Sequence, residues 1–81
     1  MIARSLNELA NMLAEQGKYD EARPLYERAL AIFEKAHGKS HLDIAMVLTN
    51  FAGMLNDSGA HDKARSMYER AEAIFNEVEE E

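Results

Sequence analysis

The chain repeats almost the same sequence twice, with a period of 42 residues. Residues 2–37 align without a gap onto residues 44–79, and 17 of the 36 aligned pairs are identical. A fixed period in this range is typical of repeat proteins, in which one unit cannot bury its apolar face alone and packs on its neighbour. We therefore expect one domain with a repeat at about 1–38, a linker at 38–42 and a repeat at about 43–79.

The spacing of the apolar residues predicts four helices, two in each copy. Each helix carries one apolar stripe at helical spacing, and such a stripe normally faces the core. The second copy shows the same stripes as the first. The predicted core positions are Ile2, Leu6, Leu9, Ala10 and Leu13 in the first helix; Ala22, Leu25, Tyr26, Ala29, Ile32 and Phe33 in the second; Ile44, Leu48, Phe51, Ala52 and Leu55 in the third; and Ala64, Met67, Tyr68, Ala71, Ile74 and Phe75 in the fourth.

The helix ends are also repeated. Gly17 and Gly59 are predicted to end the first and third helices, since glycine accepts a positive φ. Asp20 and Asp62 then place a carboxylate near the start of the following helix, where the helix dipole favours it. Pro24 fits in the first turn of a helix that begins near Asp20 or one residue later.

The longer connection between the copies contains a possible helix start. Ser40 followed by Asp43 resembles a capping box, which would open the third helix. His37 and His41 have the i, i+4 spacing of helical zinc pairs, but Gly38 lies between them and no fixed third ligand follows. We therefore predict no metal site here.

Composition excludes several classes of function. The chain has 15 acidic and 9 basic residues, a net charge of −6 and no cysteine. The sequence has no run of Lys or Arg, so it does not predict nucleic-acid binding. Because there is no cysteine, neither a disulfide nor a thiolate metal site can form. Residues 1–16 are amphipathic rather than signal-like, and no apolar run approaches the length of a membrane span. We expect a soluble, cytoplasmic protein, since a cysteine-free chain is consistent with a reducing compartment.

Catalytic chemistry has no recognisable basis in the sequence. No serine, cysteine or carboxylate pair lies in a context that predicts a catalytic site. We therefore predict a protein that is not an enzyme, with no catalytic residues and no cofactor.

The helix pairs resemble a known repeat. Small residues at Ala10, Ala22 and Ala29, a glycine turn at Gly17 and Tyr26 closing the pair resemble a tetratricopeptide repeat. The 42-residue period is longer than the usual unit of that family, and it is similar to the repeats of kinesin light chains and many bacterial relatives. That similarity rests on three segments, 16–22 (QGKYDEA), 28–32 (RALAI) and 41–45 (HLDIA).

The resemblance implies an all-α fold of two helix-turn-helix units, in which four antiparallel helices form a short right-handed solenoid. It also implies a concave groove, lined by the first helix of each unit, that binds an extended peptide or a partner protein. These positions lie opposite the apolar stripes, so we expect them to be exposed. The groove residues carried over are Arg4, Asn7, Glu8, Asn11 and Glu15 from the first copy, and Met46, Thr49, Asn50, Gly53 and Asp57 from the second.

Two interpretations of this polar face are open. Asn7, Asn11 and Asn50 could hydrogen-bond the backbone of a ligand, because an amide offers both donors and acceptors. They could equally form an ordinary solvated helix face. Gly53 indicates function or close packing, because a glycine within a helix costs about 1 kcal/mol relative to alanine. With Arg4 as the only cation on this face, a clamp for a peptide carboxylate is not expected.

Association with other chains is the second functional prediction. Two repeats are fewer than the three or so that a stable array needs, and exposed apolar surface usually marks an interface. Glu72, which replaces Leu30, and the acidic tail 77–81 are predicted to give the fourth helix a polar cap. We therefore expect the chain to bind a protein or peptide partner or to form a homo-oligomer.

One form of self-assembly is suggested by the linker. Relatives often have proline after the histidine that matches His41, whereas this chain has Leu42, which permits a continuous helix. Helices two and three could then fuse through residues 38–42 and exchange repeats between chains. The alternative function is therefore a self-assembling structural unit, in one form a domain-swapped homo-oligomer.

Overall fold

Four helices make up the fold. The computed structural model describes residues 2–38 and 41–79, without the side chains at positions 78 and 79. The helices are α1 (Ile2–Glu15), α2 (Tyr19–His37), α3 (Leu42–Asp57) and α4 (His61–Glu79), and the described residues contain no strand. The predicted all-α fold of two helix-turn-helix units in a short solenoid is confirmed.

Both tight turns are built as the repeated glycines predicted. Gly17 has φ 79° and Gly59 has φ 96°, a region that favours glycine because it has no Cβ. The N–H of Lys18 donates to the carbonyl of Leu13 at 2.9 Å, and the N–H of Ala60 donates to that of Leu55 at 2.8 Å. These bonds satisfy carbonyls at each helix end and fold the next helix back against the first.

The start of α2 differs from the prediction. The helix begins at Tyr19, so Pro24 lies in its second turn rather than its first. Proline has no N–H, so the carbonyl of Asp20 loses its regular helical partner. The two carboxylates of the first turn, Asp20 and Glu21, lie where the helix dipole stabilises them.

The start of α3 is capped by a different residue from the one predicted. His41 is the N-cap, and its Nδ1 accepts a hydrogen bond from the N–H of Asp43 at 3.0 Å. The capping box predicted from Ser40 is therefore wrong at its first position, and Ser40 itself lies outside the described residues. At the other end of the chain, α4 includes residues 77–79 of the predicted acidic tail, while residues 80 and 81 lie outside the described part.

Small residues let the helices of each unit approach closely. Ala10, Ala22 and Ala29 are fully buried where α1 packs on α2. The two units are joined by α2 against α3, where the ring of Tyr26 stacks on the ring of Phe51 with 5.2 Å between centroids. The core therefore runs without interruption from one unit to the next.

The predicted core stripes are correct for the inner helices and partly wrong for the outer ones. Ile2 and Leu9 of α1 are exposed, as are Tyr68 and Phe75 of α4. The physical reason is position, because α2 and α3 have neighbouring helices on two sides, whereas α1 and α4 are the ends of the stack. An apolar stripe shows which side chains of a helix can be buried, and they are buried only where another helix packs on them.

Within 2–38 and 41–79, no helix combines the length and apolar character that crossing a bilayer requires.

Candidate functional site

A shallow groove runs between α1 and α3. It encloses about 340 Å³ and is open to solvent along one side. Both helices present their polar faces to it, and Tyr26 reaches it from α2. The lining residues are Asn11, Ala14, Glu15, Tyr26, Thr49, Asn50, Gly53, Met54 and Asp57.

Most of the predicted groove residues meet in this depression. Arg4, Glu8 and Met46 are exposed on the same two helices but do not line it. They are closer to the N-terminal ends of α1 and α3, beyond the end of the depression. The predicted residues that do line the depression are Asn11, Glu15, Thr49, Asn50, Gly53 and Asp57.

Asn7 is a correction, because it is buried rather than exposed. Only 3% of its surface is accessible, and its Oδ1 accepts a hydrogen bond from Nδ2 of Asn50 at 3.4 Å. α3 packs over this side of α1 and covers the amide. Asn7 therefore ties the two groove helices together and supports Asn50 from below.

Tyr26 and Asn11 form the polar pair at the centre of the groove. The Tyr26 hydroxyl donates to Oδ1 of Asn11. Burial raises the pKa of Tyr26 to about 12, and the negative charge of Glu15 adds to the effect. The hydroxyl therefore remains a donor at neutral pH. The Nδ2 group of Asn11 has no partner among the described residues and remains available to an acceptor.

Gly53 occupies the position in α3 that Asn11 occupies in α1. A Cβ at Gly53 would lie 3.6 Å from the hydroxyl oxygen of Tyr68, which is an ordinary contact distance. Close packing therefore does not explain the glycine. The substitution removes the amide that would match Asn11, and the Tyr68 hydroxyl has no hydrogen-bond partner within the described part of the chain.

The charge of the groove is negative. Glu15 and Asp57 both line the depression, and no lysine or arginine does. Thr49 contributes little polarity, because its hydroxyl donates to the carbonyl of Ala45 within α3 at 2.8 Å. The site therefore offers carboxylates and amide groups to a ligand.

A second cluster of polar side chains lies at the linker between the two units. Oδ2 of Asp43 is 3.4 Å from Nε2 of His37 and 3.7 Å from Nδ1 of His41. The expectation that no third ligand follows the histidine pair is wrong, because Asp43 lies beside both rings and these residues form the one group within 2–38 and 41–79 that could hold a metal ion. The two rings stack 4.0 Å apart with planes 13° from parallel, so their in-plane lone pairs do not converge. One ring would have to turn before both could bind one cation.

Sequence reasoning missed three residues that line the groove, Ala14, Tyr26 and Met54, of which Tyr26 is the polar one. The stripe position of Tyr26 assigned it to the core. Tyr26 belongs to the core and to the groove, because its ring packs on Phe51 while its hydroxyl donates to Asn11. A signal was present in the repeat itself. Both copies have a tyrosine at this position, Tyr26 and Tyr68. The residue beside the tyrosine hydroxyl differs, since it is Asn11 in the first copy and Gly53 in the second.

Comparison with known families agrees with this geometry. The model of the tetratricopeptide repeat matches residues 1–77, which include the first copy, the first three helices and all but the last two residues of the second copy and of α4. Among curated proteins, none shows a significant match to the chain. The family match covers nearly the whole length, and the paired helices, glycine turns and groove follow its architecture. The chain therefore belongs to the tetratricopeptide repeat family.

Proposed function

We propose that this protein is a non-catalytic interaction module that binds an extended, basic segment of a partner protein in the groove between α1 and α3. Tetratricopeptide repeats generally mediate protein–protein interaction, which supplies the class of function. The observation that supports this particular surface is the pair of carboxylates, Glu15 and Asp57, in a depression without any lining cation.

The groove chemistry suits a peptide better than a compact small molecule. Amide groups of Asn11 and Asn50 are placed to hydrogen-bond an extended backbone, which offers alternating donors and acceptors. A lysine or arginine side chain on the same peptide would pair with Glu15 and Asp57. Because these carboxylates are exposed, each ion pair is worth only about 0.2–1 kcal/mol and is weakened by salt.

A random peptide library tests the proposal with the 81-residue chain as bait. Peptides selected by the wild type should be enriched in lysine and arginine, and their affinity should fall as salt is added. The double variant Glu15→Gln with Asp57→Asn should weaken these peptides by about fivefold. A matched control, Glu21→Gln with Asp62→Asn, neutralises two exposed carboxylates outside the groove and should leave affinity unchanged.

Two results would refute this assignment. One is a set of selected peptides with no excess of basic residues. The other is an equal loss of affinity in the groove variant and in its control, since that would mean that overall charge rather than the groove attracts the peptides.

Self-assembly is the second candidate function, and the exposed apolar side chains on both end helices favour it. The exchanged form, in which α2 and α3 fuse, stays a prediction. In the described chain α2 ends at His37, and Gly38 with φ 80° leads away from the helix. Leu42→Pro should abolish an exchanged oligomer in light scattering, and an unchanged oligomer would contradict the exchange.

Three finer proposals accompany these functions. We propose that the protein is a scaffold of the kinesin-light-chain type, on the basis of the 42-residue period. We propose a cytoplasmic location, supported by the absence of cysteine. The net charge of −6 supports a partner that is not a nucleic acid.

A further inference from the structure

The outer face of α1 exposes apolar side chains. Ile2 is 65% exposed and Leu9 is 47% exposed. The residues 42 positions later, Ile44 and Phe51, are 0% and 3% exposed because α2 covers them. The two helices therefore carry the same apolar stripe, and only the second stripe is covered.

The outer face of α4 shows the complementary situation. Tyr68 is 42% exposed and Phe75 is 40% exposed, whereas their counterparts in α2, Tyr26 and Phe33, are each 1% exposed. The residues of α2 are buried because α3 packs on them. Each end of the stack thus displays one half of the interface that joins α2 to α3.

The packing of α2 on α3 shows how the two halves fit. Phe51 of α3 stacks on Tyr26 with 5.2 Å between ring centroids. One repeat later, the corresponding place on α4 is a hollow of about 350 Å³ beside Ala64, Arg65 and Tyr68. The side chain that matches Phe51 and would enter this hollow is Leu9, which is exposed at the opposite end of the chain.

We propose that a second copy of this chain docks head to tail, with the outer face of its α1 on the outer face of α4, and repeats the packing of α2 on α3. The inference rests on self-assembly as the second candidate function, and it is independent of peptide binding in the groove. Such a contact joins two different faces, so each added copy leaves both faces free at the ends of a growing row. The concave grooves of successive copies would then continue one another.

The substitutions between the copies make this contact weaker than the internal one. Leu9 replaces the larger Phe51, and exposed Ser5 replaces the fully buried Val47. On α4, Glu72 stands where α2 has the half-buried Leu30, so docking would remove a carboxylate from water. Association should therefore be concentration-dependent, and it should end after few copies at moderate concentration.

Glu72 provides a test by gain of affinity. Glu72→Leu restores the residue found at the matching position of α2, and it should tighten association at least about tenfold. Sedimentation equilibrium of the 81-residue chain measures this change, with far-ultraviolet circular dichroism to show that helix content is kept. A variant that associates no more tightly than the wild type would contradict the proposed role of this face.

Complementary blocked variants distinguish head-to-tail docking from other modes. Leu9→Glu blocks the face on α1, and Tyr68→Glu blocks the face on α4. Each variant alone should remain monomeric at concentrations where the wild type associates. Mixed together, they should form a dimer of one of each, because one free face remains on each chain. Leu42→Glu is the matched control, since Leu42 is as exposed as Leu9 but lies on an inner helix, and it should associate like the wild type.

The possible outcomes separate this inference from the wider function. A wild type that is monomeric at every concentration would overturn both self-assembly and head-to-tail docking. The outer faces of α1 and α4 would then be surfaces for a different protein. Blocked variants that still associate alone would overturn head-to-tail docking while self-assembly stands. Failure of the mixed variants to form a dimer would also overturn it. None of these three results bears on peptide binding in the groove.

Discussion

Gly53→Ala should stabilise the protein, although the glycine lies at the groove. Gly53 is in the interior of α3, where alanine is favoured over glycine by about 1 kcal/mol. The new methyl group has room, because the nearest atom outside the local helix is the Tyr68 hydroxyl oxygen at 3.6 Å from the Cβ position. A half-buried methyl group adds a few tenths of a kcal/mol at most, and partial desolvation of that hydroxyl offsets it. We therefore expect a gain of about 1 kcal/mol.

Urea denaturation followed by circular dichroism measures this gain. The midpoint should rise while the slope of free energy against urea stays the same, because the surface exposed on unfolding hardly changes. In a domain of this size the melting temperature should rise by about 4–8 °C. Gly59→Ala is the matched control. It also has open space around the Cβ, but φ is 96°, so the same substitution should destabilise by about 1 kcal/mol.

A neutral or destabilising effect of Gly53→Ala would refute the reasoning. It would mean that the backbone at this position is not an ordinary helix interior, or that the space seen beside Tyr68 is not available. If Gly53→Ala is more stable and also weakens a selected peptide, the glycine is retained for the approach of the ligand at the expense of stability.

Three further predictions concern the polar contacts. Asn50→Ala should destabilise the protein by about 1 kcal/mol in urea denaturation, because it leaves the buried Oδ1 of Asn7 without its partner. A loss smaller than about 0.3 kcal/mol would show that water replaces the Asn50 amide. Burial raises the pKa of Tyr26 from 10.0 to about 12. The contribution of Tyr26 to the free energy of unfolding is therefore complete below about pH 10 and is lost as the pH rises toward about 12. Wild type should therefore lose more stability than Tyr26→Phe between about pH 9 and pH 11, and parallel losses would contradict the assignment. His41→Ala should cost about 1 kcal/mol through loss of the cap on the N–H of Asp43, whereas His41→Asn should retain most of the stability because asparagine is a good N-cap.

The repeat predicted the order of helices and turns because these depend on local chemistry. The two glycines at helix ends, the carboxylates in the first turn of α2 and α4, and the apolar spacing each act within a few residues. Having the pattern twice removed most of the ambiguity that a single copy would leave.

The site was predicted less well because it depends on contacts between units. Asn7 and Thr49 occupy matching positions, yet Asn7 is buried and Thr49 is exposed, since only α1 has the following unit packed over that side. Leu9 is exposed while Phe51 is buried for the converse reason, since only α3 has a preceding unit packed on that side. Residues 42 positions apart therefore have different neighbours at the two ends of the stack. The repeat period alone does not show which faces of a helix another unit covers.

The most direct test of the proposed function is nuclear magnetic resonance mapping of a selected basic peptide on the isotope-labelled chain. If the groove between α1 and α3 is the binding surface, amide shifts on titration should cluster around Glu15, Gly53 and Asp57 and should be reduced in the variant Glu15→Gln with Asp57→Asn. Shifts confined to α2 and α4, or to the outer face around Leu9, would contradict the groove as the site of partner binding.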